Sequence, residues 1–251
     1  MNMFKKNPNY LLKSFLFNLI LFGVFNIVLF ILREPGRFSL SVFTPLLVVT
    51  GLIVGLISAT AFHNASHGNI RPRFLNRIVG EVTADFSLED MKCFRVGHML
   101  HHIHSDDPLL DPHPPQGLSF LQFIMSSRQK TIGCIEALYY KHHERSKSSV
   151  LNVKMQIITY HLAALMKLVF WFLLLGPVFF LFFFIPAYLS YFFGFAHLNY
   201  ISHKDENKEG RIFNHDGGFF YSVMNFITSG GYYHKNHHLS PGLYNPRKLS
   251  R

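Results

Sequence analysis

Sixteen of the 251 residues are histidine, more than the fourteen Asp and Glu together. Ten of the sixteen fall in four short elements. The first is His63-Asn-Ala-Ser-His67. Residues four apart share one face of a helix, so both imidazoles can reach one metal ion, although two interfacial histidines would show the same spacing. The second is His98-Met-Leu-His101-His102-Ile-His104. His98, His101 and His102 stand at i, i+3 and i+4 on one face, His104 points elsewhere, and Ser105-Asp106-Asp107-Pro108 stops the helix. The third, His234-Lys-Asn-His237-His238, repeats that spacing between Gly230-Gly231 and Pro241-Gly242. The fourth, Asn199-Tyr-Ile-Ser-His203, has the i, i+4 geometry of the first. A solvated histidine tract is the alternative for the second and third elements, and ordinary polar groups at a span end for the fourth, but a spacing that recurs so far along the chain argues against chance for the set. Imidazole suits iron, copper, zinc and nickel. One structural zinc takes about four ligands, often including Cys, and Cys93 and Cys134 lie outside every element. The spacing points to two metal ions held by histidine, without naming the metal.

The segments that must present these residues are apolar. Hydrophobic residues make up 49% of the chain and charged residues 15%, against about 25% charged in soluble domains. This excludes a disordered chain and argues against an ordinary soluble enzyme; two cysteines exclude a disulfide scaffold. A net charge of +10 suits nucleic acid or a membrane surface, and the apolar runs select the membrane. Residues 14–32 carry no charge between Lys13 and Arg33. They are about long enough to cross a core of ~30 Å, longer than the ~7–15 apolar residues of a secretory signal, and Arg33-Glu34-Pro35-Gly36-Arg37 is no cleavage site. Residues 38–62 form a second such run. From Leu168 to His203 there is no charge; as one helix this stretch would be about 54 Å long, too long for one crossing. A break at Gly176-Pro177 gives spans near 156–175 and 178–200. The first of these includes Lys167, read as snorkelling toward the far interface.

Four spans put both termini and residues 64–154 on one side. Lys and Arg number three before the first span, two in 33–37, eleven in 64–154 and seven from 204 onward, with none at Gly176-Pro177. The positive-inside rule makes the rich side cytoplasmic. The expected architecture is all-α: four transmembrane helices and a cytoplasmic helical cap carrying the histidines. No repeat, low-complexity linker or second soluble domain is visible, so residues 1–251 read as one membrane-embedded domain.

At the histidines the sequence resembles the membrane fatty acid desaturase superfamily, which includes related hydroxylases and carotenoid ketolases. That superfamily shows HxxxH, HxxHH and HxxHH boxes, matched by HNASH (63–67), HMLHH (98–102) and HKNHH (234–238), and an NxxxH element, matched by NYISH (199–203). Gly68 follows the first box as in the HDxxHG-like form, with Asn64 where that form has Asp. Phe94-Arg95-Val96-Gly97-His98, the run His101 to Pro108, and Gly231-Tyr-Tyr-His234-Lys-Asn236-His237-His238 resemble the flanking text of its FRxGH, HHxHxxDP and GxxHxNHH forms. The resemblance spans most of the chain.

It implies nine iron ligands, His63, His67, His98, His101, His102, His203, His234, His237 and His238, with Asn199 holding a water on one iron. It implies two iron ions, O2 as co-substrate and removal of hydrogen from an unactivated CH2 in an acyl-lipid, acyl-CoA or acyl-carrier-protein substrate. No fused cytochrome b5-like domain is present, so electrons are expected from a separate donor such as ferredoxin, or cytochrome b5 with its reductase. The tail Leu239 to Pro246 lacks the second His-Pro common after the box in ketolases, which favours acyl substrates. The expected location is a bacterial inner membrane, with the active site on the cytoplasmic face. Double-bond formation is the expected outcome; a hydroxylase or carotenoid ketolase on the same scaffold is the alternative.

The remaining histidines read otherwise. His161 is a core or interfacial residue, His113 a loop residue, His142 and His143 a solvated face, and His215 a turn residue that lines the site. His197 points about 120° away from His203 on a shared helix. The Phe-rich stretches 179–184 and 192–195 are lipid-facing or core. A metal transporter would place its ligands near mid-membrane, whereas these clusters lie at span ends or beyond. No Walker A loop, HExxH or GxSxG occurs, which leaves phosphoryl, zinc-protease and serine-hydrolase chemistry unsupported.

Overall fold

Apolar surroundings leave the backbone few choices, because every N–H and C=O must find its partner inside the protein, as a helix provides. The computed structural model describes residues 2–32, 39–204 and 211–249, and every regular element among them is helical. The 33–37 loop and its two arginines lie outside the described residues. After a short N-terminal helix, α1 (Met3–Lys6), come α2 (Tyr10–Leu32) and α3 (Thr44–His67), both long and apolar enough to cross a membrane. Outward side chains such as Phe17 and Phe30 on α2 are exposed, as lipid-facing groups should be.

A third apolar stretch, Lys147–His203, runs 57 residues. It comprises α7 (Lys147–Phe179), a π-helical segment (Phe180–Phe184) and α8 (Ile185–His203). Within α7, Gly176 takes φ 72°, ψ 170°, a backbone conformation closed to residues with a Cβ. The helix breaks there, at the Gly-Pro expected from the sequence. The chain then turns back. Val153 and Tyr160 from the first half of α7 and Tyr191 from α8 all pack toward helix α5 (Met91–Ile103). Helix α2 lies along α7, with Asn26 Nδ2 donating to Met166 O at 2.9 Å. Helix α3 lies along α8. A Cβ on Gly51 or Gly55 would overlap the backbone oxygens of Phe183 and Ala187, so these glycines permit the close approach that such helix pairs need.

The segment between α3 and α7 departs from the expected cap. Helix α4 (Arg73–Phe86) runs back along α3 into the bundle, and α5 climbs out again. At their turn Phe86 packs edge-on against Trp171 at 5.4 Å and Phe184 at 5.3 Å. Residues 64–154 are therefore not wholly a cap. Three carboxylates enter the bundle with this turn, and each is matched. Lys167 Nζ pairs with Asp85 Oδ1 at 2.7 Å and donates to Glu89 O at 2.5 Å. Tyr160 OH donates to Glu89 Oε2 at 2.7 Å. Ser14 and Asn18 donate to Asp90 Oδ2, and Asp90 Oδ1 caps α5 by accepting from Lys92 and Cys93 N–H. Lys167, only 2% exposed, does not snorkel to the far interface. An unpaired charge at that depth costs too much, and the nearest carboxylate lies inward.

Helix α6 (Phe120–Tyr140) crosses over the bundle, and α9 (Gly218–Ile227) and the short α10 (His234–Leu239) follow α8. Between α5, α6, α7 and α8 lies a cavity of about 640 Å³. Its walls are largely apolar and aromatic, with Phe123, Leu168 and Phe195 among them.

Candidate metal centre

Four helix ends converge at one end of the cavity. The last turn of α3 supplies His63 and His67, and α5 supplies His98, His101 and His102. The end of α8 supplies Asn199 and His203, and α10 supplies His234, His237 and His238. The spacings read from the sequence operate as real helical faces, because each element is helical at its histidines. The nine form two sets, His63, His67, His98, His102 and His237 in one, and His101, His203, His234 and His238 in the other. Within each set the ring nitrogens lie within 4.8 Å of one another. His101 and His203 are fully buried.

The donor geometry suits cations. In the first set Nε2 atoms face one another at 2.8 Å (His67 to His98), 3.1 Å (His102 to His98) and 3.0 Å (His237 to His102). In the second the separations are 3.0 Å (His234 to His203) and 3.2 Å (His238 to His234). Two nitrogens each ~2.1 Å from one ion, at right angles to one another, stand about 3 Å apart. His63 Nε2 and His101 Nε2 are buried without a hydrogen-bond partner. Burial first, and then the neighbouring imidazoles, holds His98, His234 and His237 well below the usual histidine range, and His102 is pushed down to about 3. The rings are then neutral near pH 7, each with one lone pair free to bind a metal. A knot of inward lone pairs has no use for a proton and fits a pair of cations.

Two carboxylates orient the second set. His101 Nδ1 donates to Asp111 Oδ1 at 2.9 Å, and His203 Nδ1 to Asp106 Oδ1 at 3.1 Å. A proton on Nδ1 turns Nε2 and its lone pair to the centre, the usual carboxylate support of a histidine ligand. Asp111 is itself buried. Burial alone would raise its pKa, but hydrogen bonds from His101 and from the backbone N–H of His113 and Asp106 hold it below the usual range. Asp106 sits at φ 67° in the turn after α5, a conformation that Asp tolerates better than most residues. Neither role is part of the sequence reading above, where Asp106 appears only in a helix stop. The signal was there: three of the chain's fourteen acids crowd into the ten residues after the second box.

Asn199 is buried at the cavity wall with Oδ1 unpartnered. His113 is a loop residue as expected, yet its ring lies 5.9 Å from that of His101 and lines the cavity. His143 is not on a solvated face; its Nε2 donates to Phe4 O at 3.1 Å, and its ring packs on Tyr139. His197 pairs with Tyr232 OH at 2.9 Å and His215 with Ile201 O at 3.2 Å, so both lie outside the two sets.

Apolar helices around a double histidine cluster define a helical membrane protein whose buried imidazoles could hold metal. The chain belongs to the fatty acid desaturase family, whose model matches residues 39–247. No curated protein and no solved structure matches it. The family is one of oxidoreductases that act on acyl chains.

Proposed function

We propose that the protein is an O2-dependent di-iron desaturase that introduces a C=C bond into an acyl chain. The observation that carries this reading is the double histidine centre at one end of a cavity of about 640 Å³, within the roughly 300–1,000 Å³ of small-molecule sites. His63, His67, His98, His102 and His237 would hold one iron, and His101, His203, His234 and His238 the other, with Asn199 placed to hold a water on one of them. Bound iron supplies the redox chemistry by which O2 abstracts hydrogen from an unactivated C–H. The chain's own residues do the rest. Phe123, Leu168 and Phe195 align the acyl chain and keep water out, and Asp106 and Asp111 hold His203 and His101 in register. In the balanced reaction –CH2–CH2–, O2, two electrons and two protons give –CH=CH– and two waters. The electrons come from a separate donor such as ferredoxin, or cytochrome b5 with its reductase. The acyl group arrives as a lipid, a CoA ester or an acyl-carrier-protein ester. If the break at Gly176 divides Lys147–His203 into two crossings, the excess of Lys and Arg outside the spans favours a centre on the cytoplasmic face.

Mass spectrometry of lipids from a host expressing the protein tests the reaction. A product two hydrogens lighter than its precursor is expected. A gain of one oxygen would replace desaturation by hydroxylation, and no new product would defeat both. Metal analysis of the purified protein is a separate check, and should find about two irons per chain, since nine inward imidazoles exceed one site's needs. One zinc per chain, with no iron taken up on anaerobic loading, would exclude the di-iron centre.

A further inference from the structure

A second, smaller pocket touches the histidines away from the acyl cavity. Its volume is about 40 Å³, room for a few atoms where a single water needs roughly 10–15 Å³. His63 and His237 of one set and His234 of the other line it; most of its remaining wall is apolar, with Leu56, Leu198 and Leu243, and Thr60, Asn64 and Thr228 add polar groups. The large cavity instead meets the centre at His98 and Asn199. The two share Phe195 alone among their lining residues, so this ring stands as the partition between them. His63, whose Nε2 is buried and unpartnered, stands on the small-pocket side.

We propose that this small pocket is the binding and entry site for molecular oxygen, separate from the acyl site. The inference rests on the desaturase reading, because it assigns a route to that reaction's gas. An acyl chain in the large cavity blocks approach along it, so the second substrate needs another path to the metals. Small apolar cavities stay dry and take up apolar guests of matching size, xenon among them. A pocket of this size admits a diatomic gas and excludes an acyl chain. The segment after the third histidine box supplies one wall through Leu243.

The test uses xenon as the probe on the iron-loaded protein, located by its anomalous scattering, beside oxygen kinetics. Wild type should show xenon between Leu56, Leu198 and His63. Gly194→Ala is the filling variant. Its new Cβ would lie 2.5 Å from Leu56 Cδ2, pushing that flexible side chain into the pocket, while alanine suits a helix better than glycine. Leu243→Phe fills the pocket from the tail side and guards against a folding defect in the first variant. Both should lose xenon, and the KM for O2 should rise about tenfold, the low end for a methyl-sized change in an apolar pocket. The KM for the acyl substrate should stay at its wild-type value. Ordered water in place of xenon overturns the proposal, and so does an unchanged KM for O2 in a variant that has lost xenon. Xenon absent with normal turnover defeats the pocket assignment alone. Xenon present with no O2 consumed on any acyl lipid defeats the desaturase reading, and the oxygen assignment falls with it.

Discussion

His203→Ala should abolish turnover and bring the iron content down toward one per chain. His203 is fully buried at the end of α8; its Nδ1 is held by Asp106 and its Nε2 faces His234 at 3.0 Å. Removing the ring takes one of four donors from the second set and leaves Asp106 without its histidine. Loss of a group that merely supports a ligand costs about 10–100-fold, so loss of the ligand itself should exceed that. Activity and iron should be compared at matched protein levels, because a lost ligand also weakens the fold. The variant discriminates sharply, since His203 belongs to no HxxHH box. Wild-type activity and iron in His203→Ala would remove it from the centre. Neither His197 nor His215 could then replace it without giving up its bond to Tyr232 or Ile201.

Lys167→Met should lower stability by about 3–5 kcal/mol, the usual cost of leaving a buried charge without its partner. In a chain of this size that is a melting-temperature drop on the order of 10 °C. The variant strands Asp85 and removes the cation that ties the α4–α5 turn to α7 through Glu89 O. Methionine keeps most of the side-chain volume, so the loss reports charge rather than a cavity. Thermal unfolding in detergent reads the effect, and Asp85→Asn placed in the same chain should recover a good part of it. A melting point unchanged in Lys167→Met would show that the pair holds nothing together.

The centre was more legible in the sequence than the scaffold around it. Histidines at i, i+3 and i+4 carry their geometry with them, because a helix converts spacing directly into a shared face. The break at Gly176-Pro177 was legible for a similar reason, since it rests on the local backbone. The inward course of α4 and α5 was not. Arg73, Arg77, Glu81, Asp85, Glu89 and Asp90 are charges close together in sequence, and only partners far along the chain make three of the carboxylates tolerable inside: Lys167 for Asp85, Tyr160 for Glu89, and Ser14 and Asn18 for Asp90. Pattern reasoning sees neighbours in sequence and not such pairings. Gly51 and Gly55, four apart in an apolar run, were a readable sign of the close α3–α8 contact. Asp106 and Asp111 were partly hidden for the opposite reason, since a turn-forming Asp looks the same whether or not it also orients a ligand.

The two histidine sets draw on segments that are distant along the chain: the first joins α3 to α10, and the second joins α5 to α8 and α10. Neither can assemble until α10 has been synthesised. On the di-iron reading proposed above, iron loading would then be a late event of assembly, following synthesis of the long apolar helices. Each ion, once bound, would act as a clasp across a loop of well over a hundred residues, and closing so long a loop would remove about as much chain entropy as any crosslink in this protein could. Iron starvation should therefore leave a population of inserted but unclasped chains whose C-terminal segment is open to proteases, while the membrane helices before it stay protected.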